Sequence, residues 1–121
     1  LYHYDWTLVE DEACRFENLV AAALLKYCHF LQDAEGRETE LRFFRDVDLR
    51  EVDFVLMENG RPWQFIECKL RQREAGKGLR YLKKRFPQCQ ATQISLHGSD
   101  DYTNRDGIRV CPADRILSSL V

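Results

Sequence analysis

Three β-forming runs follow one another with gaps too short to hold a helix: "TELRFFR" from Thr39 to Arg45, "REVDFVLM" from Arg50 to Met57, and "PWQFIECKL" from Pro62 to Leu70. Strands joined so closely must run antiparallel, because a parallel connection needs a crossover of roughly a dozen residues or more. The sheet is therefore built outward from a three-strand meander. A crossover comes next. Ala75 to Phe86 carries Leu79, Leu82 and Phe86 at helical spacing and stops before Pro87, and Gln90 to Leu96 is again a strand. Strand, helix, strand in that order predicts a parallel pair.

Ahead of the meander, Glu10 to about Leu31 places Phe16, Leu19, Val20, Ala23, Leu24 and Tyr27 on one helical face, with acids in the first turn to suit the helix dipole and Gly36 closing the region. After the fourth strand, "GIRVC" reads as a short fifth, and Pro112 opens a closing helix. The order α, β, β, β, α, β, β, α predicts an α/β sandwich, a central mixed sheet with helices packed on its faces. At 121 residues, 45% of them hydrophobic, one core is expected, so residues 1–121 read as a single domain. Tyr2, Tyr4 and Trp6 are expected to dock on that core.

Five cysteines, Cys14, Cys28, Cys68, Cys89 and Cys111, make an odd set with no CxxC pair, and His3, His29 and His97 lack metal-ligand spacing. Neither a disulfide framework nor a structural zinc site follows. No signal-peptide pattern or bilayer-length apolar run is present, so a soluble, cytoplasmic chain without a membrane partner is expected. The first residue is not methionine, which suggests a piece of a longer protein. The formal charge of -2 hides an asymmetry: residues 1–66 carry seven Lys/Arg against fourteen Asp/Glu, and residues 67–121 carry eleven against six. The excess of cations gathers between Lys69 and Arg85. Arg71, Arg73, Lys77, Arg80, Lys83, Lys84 and Arg85 are the candidates to hold a nucleic-acid backbone, where the bland alternative is a solvated helix face.

Two strands carry charge where apolar residues belong. Side chains alternate along a strand, so Trp63, Phe65, Glu67 and Lys69 share one face, while Glu51, Asp53, Val55 and Met57 share a face of the strand before. A two-residue Asn59-Gly60 turn without correction puts Asp53 on the wrong side. A three-residue loop pairing Met57 with Arg61, or an equivalent bulge, brings Asp53 opposite Phe65 and diagonal to Glu67. The three-residue loop is the expectation. In that register Glu51 faces Glu67, as a rival ligand or as the partner of Arg42 or Arg50. Carboxylates crowded in a sheet interior repel and lose hydration unless a cation neutralises them, and Mg2+ takes one or two carboxylates alongside water and phosphate. A neighbouring lysine can orient the attacking water or a phosphate oxygen. The pattern of an acid, then Glu-x-Lys on the next strand, suits phosphodiester hydrolysis.

At "VDFV" and "IECK" the sequence resembles the D…(D/E)xK signature of the PD-(D/E)XK nuclease superfamily, whose restriction-endonuclease-like core has the order α, β, β, β, α, β. With "DWTLVEDEACRFENLVAAALLKY", "GLRYLKKRFP" and "GIRVCPADRIL" added, nearly the whole chain is similar to the C-terminal nuclease-like domain, of unknown function, carried by prokaryotic AAA-type ATPases. The resemblance implies that Asp53 and Glu67 are ligands of Mg2+ or Mn2+, that Lys69 is the catalytic lysine, and that Glu17 is the acid supplied by the first helix. Trp63, Phe65 and Val55 would wall the site. DNA is the implied substrate and a fused or partner ATPase domain the implied companion. One departure stands out: the exonuclease branch has Gln-x-x-x-Tyr on the following helix, and Lys77 takes the glutamine position before Tyr81. The alternative outside catalysis is a nucleic-acid or protein-interaction module of such an ATPase.

Overall fold

The computed structural model describes residues 6–120, with side chains from Glu10 onward. Tyr2, Tyr4 and His3 lie outside the described residues. The elements are α1 (Trp6–Glu35), β1 (Thr39–Arg45), β2 (Glu51–Glu58), β3 (Arg61–Arg71), α2 (Lys77–Arg85), β4 (Gln90–His97), β5 (Tyr102–Thr103), β6 (Arg109–Pro112) and α3 (Ala113–Leu117). All strands form one mixed sheet in the order β1-β2-β3-β4-β6-β5. The meander β1-β2-β3 is antiparallel, β3-β4 and β4-β6 are parallel, and β5 closes the far edge antiparallel to β6. This is the expected α/β sandwich, with one two-residue edge strand more than the sequence suggested.

The sheet separates two apolar layers. Phe16, Val20, Leu24 and Cys28, spaced by four along α1, pack on Leu56, Ile66, Cys68 and Ile94. On the opposite face Leu79 and Leu82 of α2 cover Val52, Val55, Phe65 and Ala91. The core strand β3 is sealed on both sides, and Phe65, Ile66, Glu67 and Cys68 are all buried. One acid thus sits inside a run of buried residues.

The β2-β3 turn corrects the expected register. Asn59 (φ 53) and Gly60 (φ 79) are both left-handed and form a tight two-residue turn, with Glu58 opposite Arg61 and Met57 opposite Pro62. A bulge then inserts Trp63, so that Leu56 pairs with Gln64, Val55 with Phe65 and Phe54 with Ile66. Pro62 has no amide to donate, which suits an interrupted ladder. Asp53 and Glu67 still share a side, by the bulge rather than by a longer loop, and Asp53 is level with Glu67 instead of Phe65. Trp63 moves to the α1 face, where it meets Tyr27 at 6.1 Å and carries Arg37 over its ring at 4.6 Å, so it does not wall the site. The first helix also starts earlier than the acids of Glu10 to Glu12, and no acid lies in its first turn.

Candidate active site

A second bulge frees Asp53. Between β1 and β2 the pairing steps from Arg42 opposite Val55 to Phe44 opposite Val52, so Phe43 alone faces Asp53 and Phe54. On its other side β2 leaves β3 after the Phe54-Ile66 pair. Side chains fill the gap that opens. The Cys68 amide donates to Asp53 Oδ2 at 2.9 Å, and the Asp53 amide donates to Glu67 Oε1 at 3.3 Å. Each acid therefore caps a backbone group of the other strand, and neither spends its second oxygen on the backbone. Lys69 follows two residues after Glu67, half-buried. Glu17, exposed on α1, lines the same cleft as Asp53, together with Asn18, Ala21 and Glu51.

The charges are mutually strained. Burial pushes the Glu67 carboxyl up to about 9, helped by its side-chain contact with Asp53 and by the Asp53 charge, with Lys69 opposing. Glu17 is raised as well, by partial burial first and then by Asp53, with Lys69 again pulling down. The buried Cys68 thiol is pushed up by desolvation and then by Asp53, Glu17 and Glu67, so it behaves as an inert core thiol. Lys69 is the cation that opposes the shift at both Glu67 and Glu17. Two hard oxygen donors in contact, one of them holding its proton for want of a counter-charge, suit Mg2+ or Mn2+, which complete their shells with water and phosphate. Among the described residues no three His, Cys, Asp or Glu side chains stand close enough to enclose an ion. The residues fit a cation held by two carboxylates and open to substrate.

A family model described as a domain of unknown function, DUF4143, matches residues 15–116. The chain belongs to that family. No curated protein and no solved structure matches it. The family description names no activity, so the function of this DUF4143 domain rests on its site.

Helix α2 pins the diverging end of β2. Gly78 packs so tightly that a Cβ there would lie 2.2 Å from the Glu51 carbonyl oxygen and 2.8 Å from its amide nitrogen. Tyr81 stacks on Phe44 at 6.1 Å and receives the Arg50 guanidinium at 3.7 Å. Arg50 is held in turn by Asp46 at 2.7 Å. Glu51, the rival ligand, is exposed and pairs with Arg45 at 3.1 Å, not with Arg42 or Arg50, and it does not face Glu67. Beside Glu67 on β4 stands Gln93, only 1% exposed. Its amide donates to the carbonyls of Arg73 and Glu74 and accepts from the Gly76 amide, tying the loop that leads into α2. Sequence reasoning missed Gln93, although a glutamine inside the apolar run of "QATQISLH" was the signal for it.

The basic residues divide. Arg71, Arg73, Lys77, Arg80, Lys84 and Arg85 are exposed on the DUF4143 domain. Lys83 is used within the fold: its ammonium donates to the carbonyls of Pro87 at 2.9 Å and Cys89 at 2.7 Å. His97, at the end of β4, contacts Glu12 of α1, and His29 is exposed. A cavity of about 480 Å³ lies at the amino-terminal end of β4 beside Gln90 and Thr92, away from the carboxylates. Among the described residues no helix is long and apolar enough to cross a membrane.

Proposed function

We propose that this DUF4143 domain is a divalent-metal-dependent phosphodiester hydrolase of the PD-(D/E)XK type acting on DNA. The observation that carries this is the Asp53-Glu67 contact at a strand divergence, with Lys69 two residues further along the same face. Asp53 and Glu67 would hold Mg2+ or Mn2+. When bound, the cation would neutralise charge on the phosphate and acidify a water. Glu67 would have to be ionised to hold the cation, because ligating carboxylates bind without their proton. Lys69 offers three rotatable donors to orient the attacking water or a phosphate oxygen. Glu17 adds a third carboxylate to the cleft, reachable through water, and the exposed cations from Arg71 to Arg85 track the phosphate backbone. A fused or partner ATPase would deliver the DNA.

A second reading has its own support. Each acid already gives one oxygen to a backbone amide, and among the described residues no third His, Cys, Asp or Glu stands close enough to join them around an ion. Those features suit a module that binds nucleic acid or protein without cutting. Supercoiled plasmid incubated with Mg2+ or Mn2+ separates the two. Nicking by the unmutated chain, abolished in Asp53→Asn and in Lys69→Met, supports the hydrolase. No nicking, together with no Mn2+-dependent rise in melting temperature, leaves the binding module.

A further inference from the structure

Away from the carboxylates, on the α2 face of the sheet, lies a cavity of about 410 Å³ lined by the rings of Phe43, Phe44, Phe65, Tyr81 and Phe86. No carboxylate lines it, and its only charged groups are the exposed arginines Arg42 and Arg85. Arg42 is held by Glu40 on its own strand at 2.7 Å, whereas Arg85 has no carboxylate partner among the described residues. Phe43, a large apolar side chain within β1, is 76% exposed. The half-buried rings of Phe44, Tyr81 and Phe86 stand around the same cavity, so the exposed apolar surface there is contiguous and not a lone side chain.

The cavity is tied to the acidic cleft in two ways. Phe43 and Phe44 line both. Val55 and Phe65, which pair across β2 and β3 and line the cavity, each precede or follow an acid by two residues, Asp53 on one strand and Glu67 on the other. Two strand residues span about 7 Å, and Phe65 shares a face with Glu67 and Lys69.

We propose that this cavity is a nucleobase subsite: it takes, by stacking, an unpaired base of a strand whose phosphate lies at Asp53 and Glu67. The inference rests on the hydrolase reading for its position, but the subsite binds on its own chemistry. Aromatic faces stack any base, and Arg85, which has no carboxylate partner among the described residues, favours the flanking phosphate. A cavity of about 410 Å³ bordered by aromatic rings stacks a base only when that base is free of its partner strand, so a single-stranded end or an unpaired nucleotide is the substrate class. An apolar peptide side chain would fill the same volume, which makes an acidic, phenylalanine-rich peptide the competitor to include.

The test is fluorescence anisotropy in EDTA, with a labelled single-stranded thymidine oligonucleotide, its abasic counterpart, and a duplex of the same length. The base-bearing strand is expected to bind at least tenfold more tightly than the abasic one, in line with stacking worth about 1–3 kcal/mol per base. Phe43→Ala, a surface change that keeps the fold, is expected to erase most of that preference, and Phe43→Trp to restore it. Arg85→Ala is expected to weaken both strands alike. Equal affinity for base-bearing and abasic strands, or a preference untouched by Phe43→Ala, overturns the subsite. So does displacement of the strand by the peptide when the peptide, and not the strand, depends on Phe43. Plasmid nicking measured in parallel keeps the two ideas apart. Cleavage without base preference removes the subsite alone, and base preference without cleavage keeps the subsite while removing the hydrolase.

Discussion

Replacing Glu67 with glutamine should stabilise the metal-free domain, and the gain should grow with pH. The folded protein keeps the Glu67 proton until about pH 9, whereas the unfolded chain releases it near the ordinary value of 4.5. Folding in that window takes up a proton, and stability falls as pH rises; below the unfolded value both states are protonated and the effect is absent. Each pH unit is worth about 1.4 kcal/mol, so near neutrality, some two and a half units above the unfolded value, the penalty is roughly 3 kcal/mol. Glutamine reproduces the protonated acid: it accepts from the Asp53 amide and donates to the Asp53 carboxylate, with no proton to take up. Urea denaturation in EDTA should show Glu67→Gln more stable by about 3 kcal/mol near pH 7, or a melting temperature higher by about 10 °C, with the two proteins converging near pH 4.5. Saturating Mn2+ should then reverse the ranking, since a thousandfold excess over the dissociation constant stabilises the unmutated protein by about 4.1 kcal/mol, more than the penalty. A variant less stable than the parent at pH 7, or a difference that ignores pH, would refute the coupling between burial and the Asp53 contact.

Gly78→Ala should destabilise by about 1–3 kcal/mol despite the better helix propensity of alanine, because the new methyl meets the Glu51 backbone and not a movable side chain; urea midpoints check it. Gln93→Leu should cost about 2–3 kcal/mol and speed hydrogen exchange at Gly76, by stripping the partner from that amide and from the Arg73 and Glu74 carbonyls. Lys83→Met should lower stability by about 1–2 kcal/mol with little change in the salt dependence of DNA binding, whereas Lys84→Ala should do the opposite. Asp53→Ala should lose more stability than Asp53→Asn, because only asparagine keeps an acceptor for the Cys68 amide, so plasmid nicking by the asparagine variant is the cleaner probe of catalysis.

The strands and helices were legible because each buries a face with its own period: four residues along α1 from Phe16 to Cys28, two along β2 and β3. The shared side of Asp53 and Glu67 was also legible, as a question of parity. The pairing itself was not. Asn59-Gly60 signals a tight turn on local grounds, and the residue that restores parity, Trp63, is displaced by partners distant in sequence, Tyr27 and Arg37 of the α1 end. Likewise, a count of cations over Lys69 to Arg85 locates a basic surface but does not reveal that the Lys83 ammonium is spoken for by carbonyls four and six residues on. Gln93 needed only to be noticed: a glutamine among buried strand residues must have partners, and the nearest groups wanting them are the amides and carbonyls of the adjoining loop.

Two irregularities in the sheet, not the acids alone, make the site. Had β2 stayed on β3 beyond Phe54, the Cys68 amide would have met a backbone carbonyl, and Asp53 would have had no amide to hold its carboxylate in the gap. Had β1 and β2 paired without the extra residue opposite Phe43, Asp53 would have been carried to the other face. Each bulge gives up ladder hydrogen bonds, and the compensating bonds run from the Cys68 amide to the Asp53 carboxylate at 2.9 Å and from the Asp53 amide to the neutral Glu67 carboxyl at 3.3 Å, only the first of them charge-assisted. The price is a buried acid that holds its proton at neutral pH. An arrangement selected for stability alone would have put glutamine at position 67. Glutamate there lowers the stability of the free domain, and under the proposed function a cation would supply the missing charge.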